Sequence, residues 1–244
     1  MEKKSTNTDN LELIKSYTRH WKWFAFSVVA CLALARVYLR YAVPEYGANA
    51  KIQIVESKSG NSELSVLQDL NVFGGGNTDI KDEIEILGSR SNLAEVVNNL
   101  NLNIGLTLIG NVRNSELYGA DFPFTLNFLA PDSVINNSEF SFYVTPVSAT
   151  KFDYRELEDD PARRLAFGAS IRTEIGEIVL IPKDDLIEFF VGKTIRVAVN
   201  PIYTTADFYR DKINISTPDK FSKILNLSLT DPIKQRGIDV LNEL

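Results

Sequence analysis

The sequence predicts an α+β protein in which one N-terminal transmembrane helix precedes a mixed α/β domain. Three observations predict it. The longest apolar run of the chain, carrying Arg36 and Arg40, extends from Trp21 to Val43. Short segments of period-two alternation follow one another between Asn103 and Asn200. Helical patterns are gathered before and after that block instead of alternating with it, which separates α+β from βαβ architectures.

The first 20 residues form a tail, expected to be cytoplasmic, with Lys15, Arg19, His20 and Lys22 close to the apolar run. The run of 23 residues from Trp21 to Val43 reaches roughly 34 Å as a helix, enough for a bilayer core of about 30 Å. Trp21 and Trp23 at one end, and Tyr38, Tyr41 and Tyr46 at the other, suit the two interfacial belts. By the positive-inside rule the N-terminus stays inside and residues 44–244 lie outside. Arg36 and Arg40 oppose this reading, since an arginine at the centre of a bilayer costs about 2.5–3.5 kcal/mol on insertion scales. Arg40 is near enough to the outer end to snorkel. Arg36 is deeper, and it needs a thinned bilayer or a partner on a neighbouring helix, so Arg36, Arg40, Trp21 and Trp23 are candidates for span or oligomer contacts. Three other readings remain open. Ala33 to Ala35 resembles a signal-peptidase site, the segment ending at Cys31 resembles a lipid-attachment signal, and a buried soluble helix has the same composition.

Beyond the run, Glu45 to Glu56 alternates as a strand, and the polar segment 57–79 reads as a loop around a short helix. Its glycines, Phe73 to Asn77, lack the Lys-Ser/Thr of a phosphate loop and read as a connector. Asp79 to Asn101 is a helix with the apolar stripe Ile80, Ile84, Leu87, Leu93, Val96, Val97 and Leu100, open to breakage at Gly88-Ser89. Six strands are expected in 104–110, 122–129, 139–147, 151–158, 169–182 and 194–201. A short helix over 204–210, two strands and a last helix complete the series. Pro232 is expected at the first position of that helix with Asp231 as its cap. Ile233, Ile238, Val240 and Leu241 are expected to be uncovered, as though the chain were interrupted.

Charge and composition exclude several functions. Residues 1–45 hold seven of the 26 Lys+Arg and four of the 32 Asp+Glu, which leaves the remainder at −9. That is no nucleic-acid surface, because phosphate neutralisation needs clustered cations. With one histidine, His20, and one cysteine, Cys31, a histidine base, a multi-histidine metal site and a cysteine-rich zinc site are all excluded. No cofactor site is expected. The acidic run Glu156, Glu158, Asp159 and Asp160 reads as a solvated turn, and the triplets at Asn136, Asn214 and Asn226 as chance. Ser89 and Ser91 flank Arg90 with no base to activate them.

Four segments, in this order, resemble the chain length determinant (Wzz-type) family of polysaccharide co-polymerases: "YLRYAVPEYGANAKIQI", "DEIEILGSRSNLAEVVNNLNL", "GKTIRVAVNPIYTTADFYRDKINIS" and "KILNLSLTDPIKQRGIDVLNEL". The resemblance extends over residues 11–244 and is greatest to the branch fused to a bacterial tyrosine autokinase. It implies an inner-membrane protein with a periplasmic domain of Wzz type over 44–244. It further implies a homo-oligomeric ring and partnership with polysaccharide polymerase or export machinery. No catalytic residue is implied. Pro44, Glu45 and Tyr46 match the segment where the span meets the first strand, Ser89, Arg90 and Ser91 the mid-helix bend, and Asp231 and Pro232 the start of the long helix. The family's second span, helical arm and proline-rich segment are missing, and so is a Gly-x-x-x-x-Gly-Lys-Ser/Thr loop. The chain is therefore expected to be an N-terminal part of a longer protein and no kinase itself. Gly110 to Arg113 spells a tetrapeptide of the kinase branch, but at the wrong place. The rival reading is a secreted carbohydrate-binding or adhesion module released by signal cleavage, with Phe122, Phe124, Tyr143 and Tyr154 as candidate stacking residues.

Overall fold

A computed structural model describes residues 21–54, 76–110, 112–219 and 222–244. The tail, and the loop expected over 57–79 for most of its length, lie outside the described residues. The chain divides into two compact units between Val43 and Pro44.

The first unit contains helix α1 (Trp21–Tyr41). It is long and apolar enough to cross a membrane, and none of it is buried against the protein itself.

The second unit is α+β and is built around two cores. Strand β1 (Tyr46–Gln53) pairs antiparallel with β12 (Ile224–Asp231), which pairs on its other side with β11 (Asn214–Ser216). Register places Ala48 opposite Leu229, Ala50 opposite Leu227 and Ile52 opposite Leu225, all on the inner face. The outer face carries Asn49, Lys51, Gln53, Asn226 and Ser228. Helices α2 (Gly76–Leu87), α3 (Arg90–Asn99), α6 (Ile202–Lys212) and α7 (Lys234–Glu243) supply the inner layer, with Leu93, Val97, Ala206, Tyr209 and Val240 in one cluster with the strand leucines.

The second core is all β and lies in sequence between α3 and α6. Strands β2 (Ile104–Leu108), β3 (Ser115–Leu117), β5 (Phe140–Pro146), β6 (Lys151–Arg155), β7 (Arg163–Ala166) and β10 (Ile195–Val199) form an antiparallel sheet in the order β3-β2-β10-β5-β6-β7. Strands β4 (Phe124–Phe128), β8 (Ser170–Thr173) and β9 (Gly176–Pro182) form a three-stranded sheet in the order β4-β9-β8. Phe124, Phe142, Phe152, Tyr154, Ile178, Leu180 and Val197 fill the space they enclose. Period-two alternation dictates this arrangement, because every second residue of β5, β6 and β10 must leave water together.

Four expectations are corrected. The single strand expected over 169–182 is a hairpin, β8–β9. Gly176 takes φ +114, and a Cβ there would sit 2.9 Å from that of Ala130, so only glycine turns the chain at this point. Strands β3 and β7 and the one-turn helices α4 (Asp132–Ile135) and α5 (Asp184–Ile187) come from segments too short for periodicity to show. The last helix starts at Lys234, so Pro232 is not its first residue, nor is Asp231 its cap residue. Val240 and Leu241 are buried, since α7 packs on β1 and β12.

Candidate functional site

The residues singled out by sequence fall at three places in the second unit. Pro44, Glu45 and Tyr46 lead into β1, and register sets Tyr46 directly opposite Asp231. The entry of the domain and the start of its last helix are therefore neighbours. That pairing brings together two of the predicted segments.

Ser89 and Arg90 lie where Gly88 ends α2. Ser89 caps α3, its Oγ accepting the Asn92 N–H at 3.3 Å, so a continuous stripe is split into two helices. Arg90 donates to Asp207 of α6 at 2.9 Å and lies 4.8 Å from the centroid of the Tyr203 ring. The pair is half exposed, with Arg90 at 52%. It contributes under about 1 kcal/mol after solvent screening, enough to bias the α3–α6 packing but not to create it. Beside it is an open cleft of about 410 Å³ lined by Ser91, Asn98, Asn136 and Tyr203, among others.

Asp231 is the centre of the most elaborate arrangement. Its side chain is fully buried. Oδ1 accepts the Ile233 N–H at 2.7 Å, and Nε of Arg236 donates to Oδ1 at 3.1 Å and Oδ2 at 3.0 Å. Asp231 thus organises the start of α7 from the end of the strand, two residues before the helix's own flanking residue Ile233. Another nitrogen of Arg236 reaches Glu116 of β3 at 2.7 Å. Tyr118, just beyond β3, bonds Asp239 of α7, and Tyr209 of α6 borders the group from the helical side. Arginine's planar fork allows one guanidinium to hold two carboxylates, which lysine does less well.

Burial works against the charge of Arg236. Tyr209, the Asp231 carboxylate and Glu116 outweigh it and hold the guanidinium above the usual arginine range. Burial, and then the bond with Asp239, pushes the Tyr118 phenol upward, while burial lifts Tyr209 to about 12. Unfolded tyrosine titrates at about 10. The folded chain therefore keeps these protons longer than the unfolded chain. Their stabilisation is complete below about pH 10 and is lost as pH rises through about 12. An alkaline titration followed at 295 nm and by circular dichroism is expected to show Tyr118, Tyr209 and the buried Tyr154 ionising late, together with loss of structure. Ionisation of these tyrosines before unfolding would contradict the placement.

Chemically, this group positions and couples. The Asp231 carboxylate is occupied by Arg236 and a backbone amide. It links α7 to its own strand and to the all-β sheet. Arg236, Glu116, Tyr118 and Tyr209 were missed by sequence reading. Only the Asp231–Arg236 spacing carried a signal, since Glu116 lies over a hundred residues away.

The remaining sequence candidates find structural places. Phe124 and Tyr154 are fully buried in the all-β core, and Phe122 packs against it. Tyr143 is partly exposed. The aromatics offered for sugar stacking are thus mainly core. The acidic run is a turn in which Asp160 accepts the Leu157 N–H at 3.0 Å and Glu156 pairs with Arg163. Asn214 and Asn226 lie in strands. Gly110 begins a tight turn where a Cβ would collide with the Arg113 carbonyl, which accounts for the glycine of that tetrapeptide.

Comparison with known proteins agrees with this architecture. Residues 7–100 match the sequence model of the chain length determinant proteins (Wzz). Over 98% of its length the chain is 31% identical to the tyrosine-protein kinase ptk of Acinetobacter johnsonii, and it spans about a third of that relative. With the candidate span, the α+β fold and the matched segment from the tail to the end of α3 in agreement, the chain is similar to the Wzz-type chain length determinant proteins and to a relative that is a tyrosine-protein kinase.

Proposed function

We propose that this chain is the anchored scaffold of an inner-membrane polysaccharide co-polymerase. Residues 1–20 are cytoplasmic, 21–43 cross the membrane, and 44–244 form the periplasmic domain. It acts without catalysis of its own, assembling with copies of itself into a ring that regulates the length or export of a cell-surface polysaccharide. It works with the polymerase or export machinery. The chain is the N-terminal part of a tyrosine autokinase, whose active site lies in the portion of such proteins that this chain does not span.

The observation that carries the reading is the pairing of Tyr46 with Asp231. The strand that follows the candidate span and the strand that leads to α7 are adjacent and antiparallel, so the entry of the domain and the start of α7 lie side by side. The buried Asp231–Arg236 pair makes that place rigid.

The test is the topology of the chain in its membrane. Alkaline phosphatase fused after Leu244 is expected to be active, and fused at residue 15 inactive, with the chain retained in membranes at its full length. A mature N-terminus at Arg36 would overturn the anchor in favour of the secreted module.

A further inference from the structure

The cleft beside Arg90 has a lining that holding the fold together does not use. Its volume is about 410 Å³, within the range of about 300–1,000 Å³ usual for small-ligand sites. Three helices of the second unit build it. Ser91, Glu95 and Asn98 stand at spacings of four and three on one face of α3. Asn136 and Asn137, which follow α4, and Tyr203 of α6 line it too. These walls are joined. The Ile202 N–H at the start of α6 donates to the Asn136 carbonyl at 2.9 Å, and the Asn137 amide donates to the Ser133 carbonyl at 2.7 Å. A ligand therefore meets a site that is already assembled, which lowers the cost of binding.

Among the described residues, the side chains of Ser91, Glu95, Asn98 and Asn136 have no hydrogen-bond partner. A side-chain amide both donates and accepts, as a hydroxyl does, so the set matches a ligand dense in hydroxyl groups. Glu95 is the one charged residue of the lining, and its carboxylate repels an anion. Arg90 does not reverse this, since Asp207 holds it at 2.9 Å. An apolar ligand would strand the amides away from water. A peptide strand has no sheet edge to extend here, because helices and the turn after α4 form the walls. Tyr203 supplies the remaining part. Arg90 lies 4.8 Å from its ring centroid, and the residue is still 49% exposed. A ring steadied on one face and open elsewhere is a platform for the apolar C–H face of a sugar.

We propose that this cleft binds a neutral stretch of saccharide, with Ser91 and the asparagines on its hydroxyls and Tyr203 against one sugar ring. The cleft holds the saccharide without cleaving it, because glycoside hydrolysis uses a pair of carboxylates and the lining has one. Helices α3 and α6 belong to the helical core and Ile135 of α4 to the all-β core, so a bound saccharide ties the two together. That the saccharide is part of a polymer handled by an anchored scaffold rests on the function proposed above, whereas the binding does not.

Saturation-transfer difference NMR on the full chain in lauryldimethylamine oxide, a detergent without sugar, tests it. The probes are cellotetraose, mannotetraose and chitotetraose, with tetragalacturonate as the anionic control. At least one neutral probe is expected to bind about tenfold more tightly than the control. Tyr203→Ala and the double variant N98A/N136A are each expected to weaken that binding about tenfold, and Tyr203→Phe, which keeps the ring, to leave it unchanged. Phe189→Ala, at a side chain outside the cleft and 70% exposed, is expected to have no effect. Absence of transfer to all three neutral probes would overturn the site, as would tighter binding of the control or equal weakening by Phe189→Ala. The phosphatase fusions separate this failure from that of the scaffold. Neutral probes left unbound by a chain with its N-terminus inside and its domain outside overturn the site alone. Binding by a chain whose mature N-terminus is Arg36 upholds the site and overturns its assignment to an anchored scaffold.

Discussion

Replacing Asp231 by alanine is expected to lower the unfolding free energy by about 3–5 kcal/mol, the usual result of removing one partner of a buried ion pair. The carboxylate is completely buried and Arg236 is only 16% exposed. Without Asp231 the guanidinium keeps Glu116, which is 47% exposed and can follow it only from the rim. The Ile233 N–H, held at 2.7 Å in the native chain, loses its acceptor as well. For a chain of this size, each kcal/mol shifts the midpoint by about 2–4 °C, so thermal unfolding is expected about 6–20 °C lower. The double variant D231A/R236M distinguishes a buried charge from a shape requirement. Removing both charges is expected to restore much of the loss, because replacing a buried pair by apolar groups is often neutral. Urea unfolding of the detergent-solubilised chain, followed by circular dichroism, measures both. A single variant within 1 kcal/mol of wild type would show that Asp231 is not held as described.

The second large effect is expected at Phe152. Its side chain is fully buried in the all-β core, its ring 4.7 Å from that of Phe167. Phe167 in turn meets Phe124 at 6.4 Å, and Phe142 meets Tyr154 at 5.5 Å. Phe152→Ala removes one of the largest fully buried side chains of this core and leaves a cavity among Phe124, Phe142 and Phe167. A loss of about 3–5 kcal/mol is expected. Phe152→Leu retains most of the volume and is expected to cost less, about 1–2 kcal/mol. Phe152 lies in the all-β cluster, to which neither Asp231 nor Arg236 belongs. The effects of the Phe152 and Asp231 variants are therefore expected to add within about 0.5 kcal/mol. Marked non-additivity would mean that Arg236–Glu116 carries strain from one core into the other, through β3.

The two variants mark where sequence reasoning succeeded and where it stopped. Phe142, Val144, Ile195, Val197 and Val199 announce their burial by alternation alone, because a strand has only two faces and one of them must leave water. The break at Gly88-Ser89 was legible for an equally local reason. A glycine followed by a residue whose hydroxyl can cap the next turn ends one helix and begins another. The hairpin within 169–182 was not legible. Its turn has no Asn-Gly or Pro, only Gly176, whose φ of +114 cannot be told from an ordinary strand glycine before the close approach of Ala130 is known. Asp231 and Pro232 were recognised as a helix start, but the geometry was displaced by two residues. The carboxylate caps from the strand because it is also drawn inward by Arg236.

The sequence by itself determined a candidate membrane span, the α+β class, the order of most strands and the single histidine and single cysteine of the chain. Each of these depends on residues within about one element of one another, where hydrophobic period, charge and residue count act directly. Tertiary structure alone decided that the strands enclose a core separate from the helical one, that Tyr46 lies opposite Asp231, and that Arg236 joins Glu116 to Asp231 across the domain. Those facts join residues far apart in the chain. Burial of a charge selects its partner by proximity in the folded state, and no local pattern records it.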